Sequence, residues 1–293
     1  MFAMISRGLF TLLSRVPLPL LYGAVGTLSW LLGSVFRYRH AVVTKNLKAA
    51  FPDWPETTLA QERRKFYRHL TTNTLEILAT RQLSDDELRQ RVSFENAELI
   101  AEISDNFNTS VVVLTLHQGN WEWLLQRAAL EYPIPLAPVY KKLHNPAADQ
   151  FMLGLRRLRN GQPIEMRAVA RDFIRHRRQP RIVAMLADQS PGHRERAHRT
   201  TFLHQDTAFY SGAAQLARAA GFPVVFADCQ PIARGRYHCT LTEITREPKQ
   251  MEEAAITERY ARLTERAIQQ SPHSWLWTNR RWKISPLGAQ RSH

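Results

Sequence analysis

The residues best suited to chemistry lie in Val111-Val-Val-Leu-Thr-Leu-His117-Gln-Gly-Asn-Trp-Glu122. The β-branched apolar run predicts a buried strand. Gly119-Asn120 predicts a sharp turn directly after it. That layout delivers an imidazole to the exposed end of a strand, where it can take a proton from an alcohol. Glu122, five positions on, is a carboxylate that the turn can fold back to orient the ring. A plainer arrangement fits the same residues: His117 caps a strand, and Glu122 sits in a first helical turn, where its charge suits the helix dipole.

Spacing alone does not decide between them. With 11 His and 26 acidic residues, chance yields roughly one His-x4-acid pair. Three occur: His117/Glu122, His144/Asp149 and His238/Glu243. His238 and Glu243 share a run that reads as a strand, where an offset of five puts them on opposite faces. His144 precedes Asn145-Pro146, in a loop or at a helix start, with no strand to deliver it. Only His117 has the strand, turn and helix around it.

The elements that must position this site alternate along the chain. Helices are predicted over Val42–Phe51, Glu56–Thr80, Glu95–Ile103, Trp121–Glu131, Asn145–Leu158, Val169–His176, Ser211–Ala220 and Ile256–Gln270, with a short polar segment at Asp85–Val92. Strands are predicted over Ser110–Leu116, Leu136–Tyr140, Arg181–Leu186, Val224–Asp228 and Tyr237–Ile244. Alternation of this kind implies an α/β class, a single domain with a largely buried mixed sheet flanked by helices. Chemistry in such sheets gathers at strand ends. The Arg181–Leu186 strand also ends in polar residues, Ala187-Asp188-Gln189, so Asp188 shares a crevice with His117 if the two strands are neighbours. Asp188 also fits as a turn-forming acid before Ser190-Pro191-Gly192.

The chain has 293 residues, 40 Lys and Arg against 26 Asp and Glu, and a formal charge of +14. Its partners should be anionic. The positive residues are scattered, with clusters at Arg156-Arg157, Arg175–Arg178, His193–Arg199 and Arg280–Lys283. No zinc-finger, recognition-helix or RNA-binding pattern accompanies them, which argues against nucleic acid. Cys229 and Cys239 lack metal-site or redox spacing and read as a buried thiol pair; no metal is expected.

Val16 to Phe36 carries no charge, and Arg37, Arg39, His40, Lys45 and Lys48 follow. The apolar length just suffices to span a bilayer. The basic flank puts the following domain in the cytoplasm, on the inner face of the membrane. We therefore expect an N-terminal membrane anchor or interfacial helix over residues 1–40 and a catalytic domain over 41–293.

Taken together the chain resembles the bacterial lipid A biosynthesis acyltransferases, the lauroyl and myristoyl transferases within the wider glycerolipid acyltransferase superfamily. The elements that carry the resemblance are the apolar N-terminus, Arg39 through Asn46-Leu47, Phe51-Pro52, His117-Gln-Gly-Asn-Trp-Glu122, Arg156-Arg157, Ala187-Asp188-Gln189, Trp275-Leu-Trp277 and Arg280-Arg281-Trp-Lys283. The sequence departs from the family pattern at Asn279, where the tail commonly has histidine, and at Phe202-Leu203-His204, where a Phe-Phe-Gly turn is usual.

The resemblance implies transfer of a C12–C14 acyl group from acyl carrier protein to a hydroxyl of a lipid A precursor, without cofactor or metal. His117 would be the general base and Glu122 the group that holds its tautomer. Arg156 or Arg157 would bind a phosphate or the carrier's phosphopantetheine arm, and Asp188, Gln189 and Asn120 would contact substrate. Acyl carrier protein, the lipid A precursor and anionic inner-membrane lipids are the implied partners. Two other readings share some of these features: the same fold acting on another lipid acceptor, and a non-catalytic protein that binds anionic membranes.

Overall fold

The computed structural model describes residues 12, 14–192 and 196–282. His193–Glu195 of the third basic cluster, Lys283 of the fourth, and residues 1–11 and 13 of the N-terminal segment therefore lie outside the described residues. The chain order is α1 (Leu18–Trp30), a π-helical turn (Leu31–Val35), α2 (His40–Ala50), α3 (Glu56–Ala79), α4 (Asp85–Arg91), β1 (Val92–Phe94), α5 (Leu99–Ile103), β2 (Val111–Thr115), α6 (Trp121–Glu131), β3 (Leu136–Tyr140), α7 (Pro146–Arg156), β4 (Ile164–Glu165), α8 (Val169–Arg175), β5 (Ile182–Leu186), β6 (Ala197–Phe202), β7 (Gln205–Tyr210), α9 (Gly212–Ala220), β8 (Val224–Ala233), β9 (Arg236–Thr245) and α10 (Glu253–Gln270).

Seven strands form one mixed sheet in the order β1-β9-β8-β2-β5-β3-β4. β9 is antiparallel to β8, β1 is parallel to β9, and the other neighbours pair in parallel. β2 occupies the centre, and all five of its residues are buried. This is why Val111–Thr115 reads as an unbroken apolar run rather than an alternating one. One apolar core lies on the side of α2, α3, α9 and α10, around Phe66, Phe209, Phe226 and Tyr260. A second lies on the side of α1, α5 and α6, around Leu78, Ile100 and Trp123. The mixed α/β sheet expected from the alternation is the observed one.

Several expectations are corrected in detail. The helix anticipated over Glu95–Ile103 begins only at Leu99; Glu95 instead accepts a hydrogen bond from Thr240 Oγ1 on β9 at 2.8 Å. The strand at Val224–Asp228 continues to Ala233. β1 and β4 are too short to leave a periodic signal. The β6–β7 hairpin was not anticipated because most of its residues are partly exposed and no glycine marks its turn.

The N-terminal apolar run is a helix, with 18 residues from Leu18 to Val35 long and apolar enough to cross a membrane. It is not a free appendage. Leu18, Leu21 and Val25 are buried and share a core with Leu75 and Leu78 of α3. Leu20, Leu28, Trp30, Val35 and Phe36 are exposed. The helix thus has a protein face and an apolar outward face.

The β6–β7 turn puts Leu203 at φ 48° and His204 at φ 63°. A two-residue hairpin loop needs positive φ at both central positions, which favours Gly and Asn. The glycine usual in the family that the sequence resembles therefore has a physical reason. Here the burial of Leu203 and its N–H bond to Glu265 Oε1 at 2.6 Å hold the turn instead. We expect His204→Gly, at an exposed position, to stabilise the fold by roughly 1 kcal/mol, the order of the left-handed penalty it removes. Denaturant unfolding in detergent checks this, and a clear loss of stability would show that the turn carries no strain.

Candidate active site

β2 and β5 are adjacent and parallel, with Thr115 opposite Leu186. Two residues further on, in the same register, His117 and Asp188 face each other. Asp188 Oδ1 accepts from His117 Nδ1 at 2.7 Å. Its Oδ2 accepts from the His117 backbone N–H at 3.1 Å and from the Trp275 indole N–H at 2.8 Å. Asp188 is fully buried. Burial alone would push its carboxyl upward; the charge and hydrogen bonds of His117 and the bond from Trp275 outweigh this and hold it below the ordinary aspartate range. With Nδ1–H donated to Asp188, the free lone pair is on Nε2. That atom lies 3.3 Å from the Gln189 side-chain amide.

Glu122 was expected against the imidazole and is elsewhere. It occupies the first turn of α6, and its carboxylate forms a two-pronged ion pair with Arg156, the last residue of α7. The distances are 2.5 Å from Nη2 to Oε1 and 3.2 Å from Nε to Oε2. The reason is directional: the helix that begins at Trp121 carries Glu122 toward α7, while the turn leaves His117 facing β5. The carboxylate on His117 is thus Asp188, which sequence spacing did not indicate because the contact runs across strands. Of the two candidate arginines, Arg156 reaches the site, and Arg157 is exposed.

Asn120 is also not where a substrate contact would be. It is fully buried. Its Oδ1 caps α6 by accepting from Trp123 N–H at 3.0 Å, and its Nδ2 donates to Glu76 at 2.9 Å. Gly119 adopts φ +60°, and a Cβ there would collide with the Cys229 carbonyl. Both turn residues are therefore structural requirements of the bend. His144 lies in the coil before α7, and Asp149 accepts from Leu143 N–H rather than pairing with it. His238 bonds Ser93 at 2.9 Å across the β1–β9 pair, and Glu243 pairs with Arg246.

The C-terminal segment, quoted above only as a sequence signature, closes the turn from behind. Leu276 N–H donates to His117 O at 3.0 Å and Gly119 N–H to Ser274 O at 3.3 Å. Asn46 Nδ2 donates to the carbonyls of Trp277 and Asn279 at 2.9 and 2.7 Å, and Arg39 to that of Thr278 at 2.9 Å. Arg281 is buried, with its guanidinium 4.4 Å from the centre of the Phe209 ring. Burial draws its pKa down to about 10, against the pull of Asp188.

His117 Nε2 opens onto a cavity of about 840 Å³. On one wall Val113 and Thr115 of β2 and Ile182 and Ala184 of β5 point inward with the alternation that also aims His117. Leu124, Leu125 and Ala128 of α6, with Tyr132 directly after it, form the facing wall, and Phe94, Ile100 and Leu241 also line it. Gln189, Glu122 and Arg156 line the cavity with His117, as do Arg39, Lys141 and Lys142. The result is a largely apolar chamber with an imidazole, an ion pair and several cations in its wall. Among the described residues no group of three or more His, Cys, Asp or Glu could hold a metal ion. Cys229 and Cys239 face each other on β8 and β9 as buried, free thiols.

A histidine paired with a buried aspartate thus stands beside a largely apolar chamber at the strand ends of a mixed α/β sheet. The chain matches the family described as bacterial lipid A biosynthesis acyltransferase over residues 2–284, and it belongs to that family. It is thus an acyltransferase of lipid A biosynthesis, with a lipid A precursor as the acceptor its family implies. No curated protein matches it.

Behind His117, His69 lines a small cleft with Asn73, Trp121 and Trp275. Burial first, and then the neighbouring His273, lowers the His69 pKa from 6.5 to about 4. The unfolded chain therefore binds a proton near pH 6.5 that the folded chain refuses until about pH 4. The contribution of His69 is complete above pH 6.5 and is lost as the pH falls to about 4. Unfolding curves between pH 7 and 4 should be flatter for His69→Gln than for the unaltered protein; parallel curves would contradict this.

Proposed function

We propose that the chain transfers a fatty acyl group of 12 to 14 carbons from acyl carrier protein to a hydroxyl of a lipid A precursor, at the cytoplasmic face of the bacterial inner membrane. The observation that carries this reading is the His117–Asp188 pair opening onto the 840 Å³ cavity. The cavity volume is within the range of roughly 300–1,000 Å³ typical of small-molecule sites. Its apolar walls suit a hydrocarbon chain.

In the reaction, Nε2 of His117 takes the proton of the acceptor hydroxyl as its oxygen attacks the thioester carbonyl carbon. The C–O bond forms and a tetrahedral oxyanion results. Its collapse breaks the C–S bond, and the departing sulfur takes the proton from the imidazolium, leaving an ester and a free carrier thiol. Asp188 keeps the proton on Nδ1 and stabilises the imidazolium. Arg156, held by Glu122, offers a guanidinium to the pantetheine phosphate or to a phosphate of the acceptor. Arg39, Lys141 and Lys142 supply positive charge for the acidic carrier or the anionic lipid surface. The apolar outward face of α1 supports placement in the bilayer beside the lipid acceptor.

The test is transfer in detergent micelles, with carrier thioesters of several chain lengths and a lipid A precursor. We expect His117→Ala to lower kcat by 10²–10⁴-fold, the range of a general base. Asp188→Asn should also lower kcat strongly, with KM nearly unchanged. Glu122→Gln should mainly raise KM by freeing Arg156. Full activity of Asp188→Asn with collapse in Glu122→Gln would reverse the two carboxylate roles. No transfer by folded protein with any donor would favour another lipid acceptor.

A further inference from the structure

One fully buried carboxylate outside the cavity joins the N-terminal helix to the turn that carries His117. Glu76, on α3, is shielded from solvent. Its Oε1 accepts from the Tyr22 hydroxyl of α1 at 2.8 Å. Its Oε2 accepts from the Tyr237 hydroxyl of β9 at 2.5 Å and from Asn120 Nδ2 at 2.9 Å. The backbone carbonyl of Glu76 accepts from the Trp123 indole N–H at 3.2 Å, and that N–H also meets Thr80 Oγ1 at 3.0 Å. Asn120 in turn caps α6 through Trp123 N–H. Three parts of the fold, α1, β9 and the turn after His117, thus converge on one side chain.

Stability alone gives little reason for such a group. A buried charge loses hydration, and well-packed apolar residues often serve stability as well. Burial does push the Glu76 carboxyl upward, against its three hydrogen bonds and the charge of Arg91. What the arrangement supplies is direction. Neither Glu76 nor Asn120, Tyr22 or Tyr237 lines the cavity, so the carboxylate acts only through the groups it holds. One of these is the turn three residues beyond His117. Another is a helix whose outward face is exposed and apolar at Leu20, Leu28 and Trp30. The Tyr22 hydroxyl reaches Glu76 only when that helix is seated on α3.

We propose that Glu76 is a positioning residue for acyl transfer: through Asn120 it fixes the turn that aims His117 into the cavity, and through Tyr22 it makes that aim depend on the seating of α1. This rests on the function proposed above. The N-terminal helix is then a structural support of the site as well as a tether.

The test uses the full chain in detergent micelles and two readouts. In hydrogen–deuterium exchange, Glu76→Gln should speed exchange of the amides at 117–123 by about tenfold while β5 is unchanged, and Tyr22→Phe should act in the same direction. In the transfer assay, Glu76→Gln should lower kcat by about tenfold with the donor KM within about twofold. The double variant Glu76→Gln/Asn120→Ala should be no slower than Asn120→Ala alone. Unchanged exchange at 117–123, exchange that rises uniformly across the protein, or additive losses in the double variant would each overturn the proposal. If Glu76→Gln does not fold, Tyr22→Phe and Tyr237→Phe, which each remove one hydroxyl, carry the same test. An inactive wild type would overturn the proposed function and leave the exchange test standing.

Discussion

The hydrogen bond between His117 Nδ1 and the buried carboxylate of Asp188 sets the terms for the rest of the site. It joins the ends of two neighbouring parallel strands, so it exists only if β2 and β5 pair in the observed register. A slip of one residue would turn both side chains to the other face of the sheet. It also puts an ionised group where water does not reach, and that requires every carboxylate lone pair facing the protein to find a donor. The His117 amide and the Trp275 indole supply them.

The placement of the C-terminal segment follows from that requirement. Trp275 reaches Asp188 because residues 274–277 pair with the His117–Gly119 turn, and that pairing is held by Asn46 and Arg39 from the beginning of the domain. Segments more than two hundred residues apart in sequence are tied together at one imidazole. Phe51, stacked on Trp54 with ring centres 3.9 Å apart and set edge-on to Trp277, packs the same junction. The other side of the turn is governed by Glu76. A rigid turn between these two supports keeps Nε2 directed at the apolar chamber, so that little ordering of the imidazole remains when a substrate binds.

Much of this was legible in the sequence, and the part that was not has a common cause. β2 and β5 were evident because fully buried strands are continuous apolar runs, and their polar ends marked His117 and Asp188. The turn was evident from Gly119-Asn120. The partner of His117 was not, because His-x4-Glu spacing reports what is near along the chain, while Asp188 is near only through strand pairing. Glu122 belongs to the ion pair with Arg156 for the same reason. Trp275, Asn46 and Arg39 appeared as signature residues without roles, since Trp275 bonds a carboxylate distant in sequence and Asn46 and Arg39 bond backbone carbonyls that no side-chain pattern encodes. Glu76 lies in the last turn of a long amphipathic helix, where a glutamate ordinarily faces solvent.

In this arrangement Asp188, and not Glu122, fixes the tautomer of His117. The most direct measurement is the ¹⁵N chemical shifts of the His117 imidazole in the neutral state, in detergent micelles. The expected result is a protonated Nδ1 and an unprotonated Nε2 in the unaltered protein and in Glu122→Gln, with that preference lost in Asp188→Asn. An unprotonated Nδ1 in the unaltered protein, or a tautomer that changes with Glu122 and ignores Asp188, would contradict it.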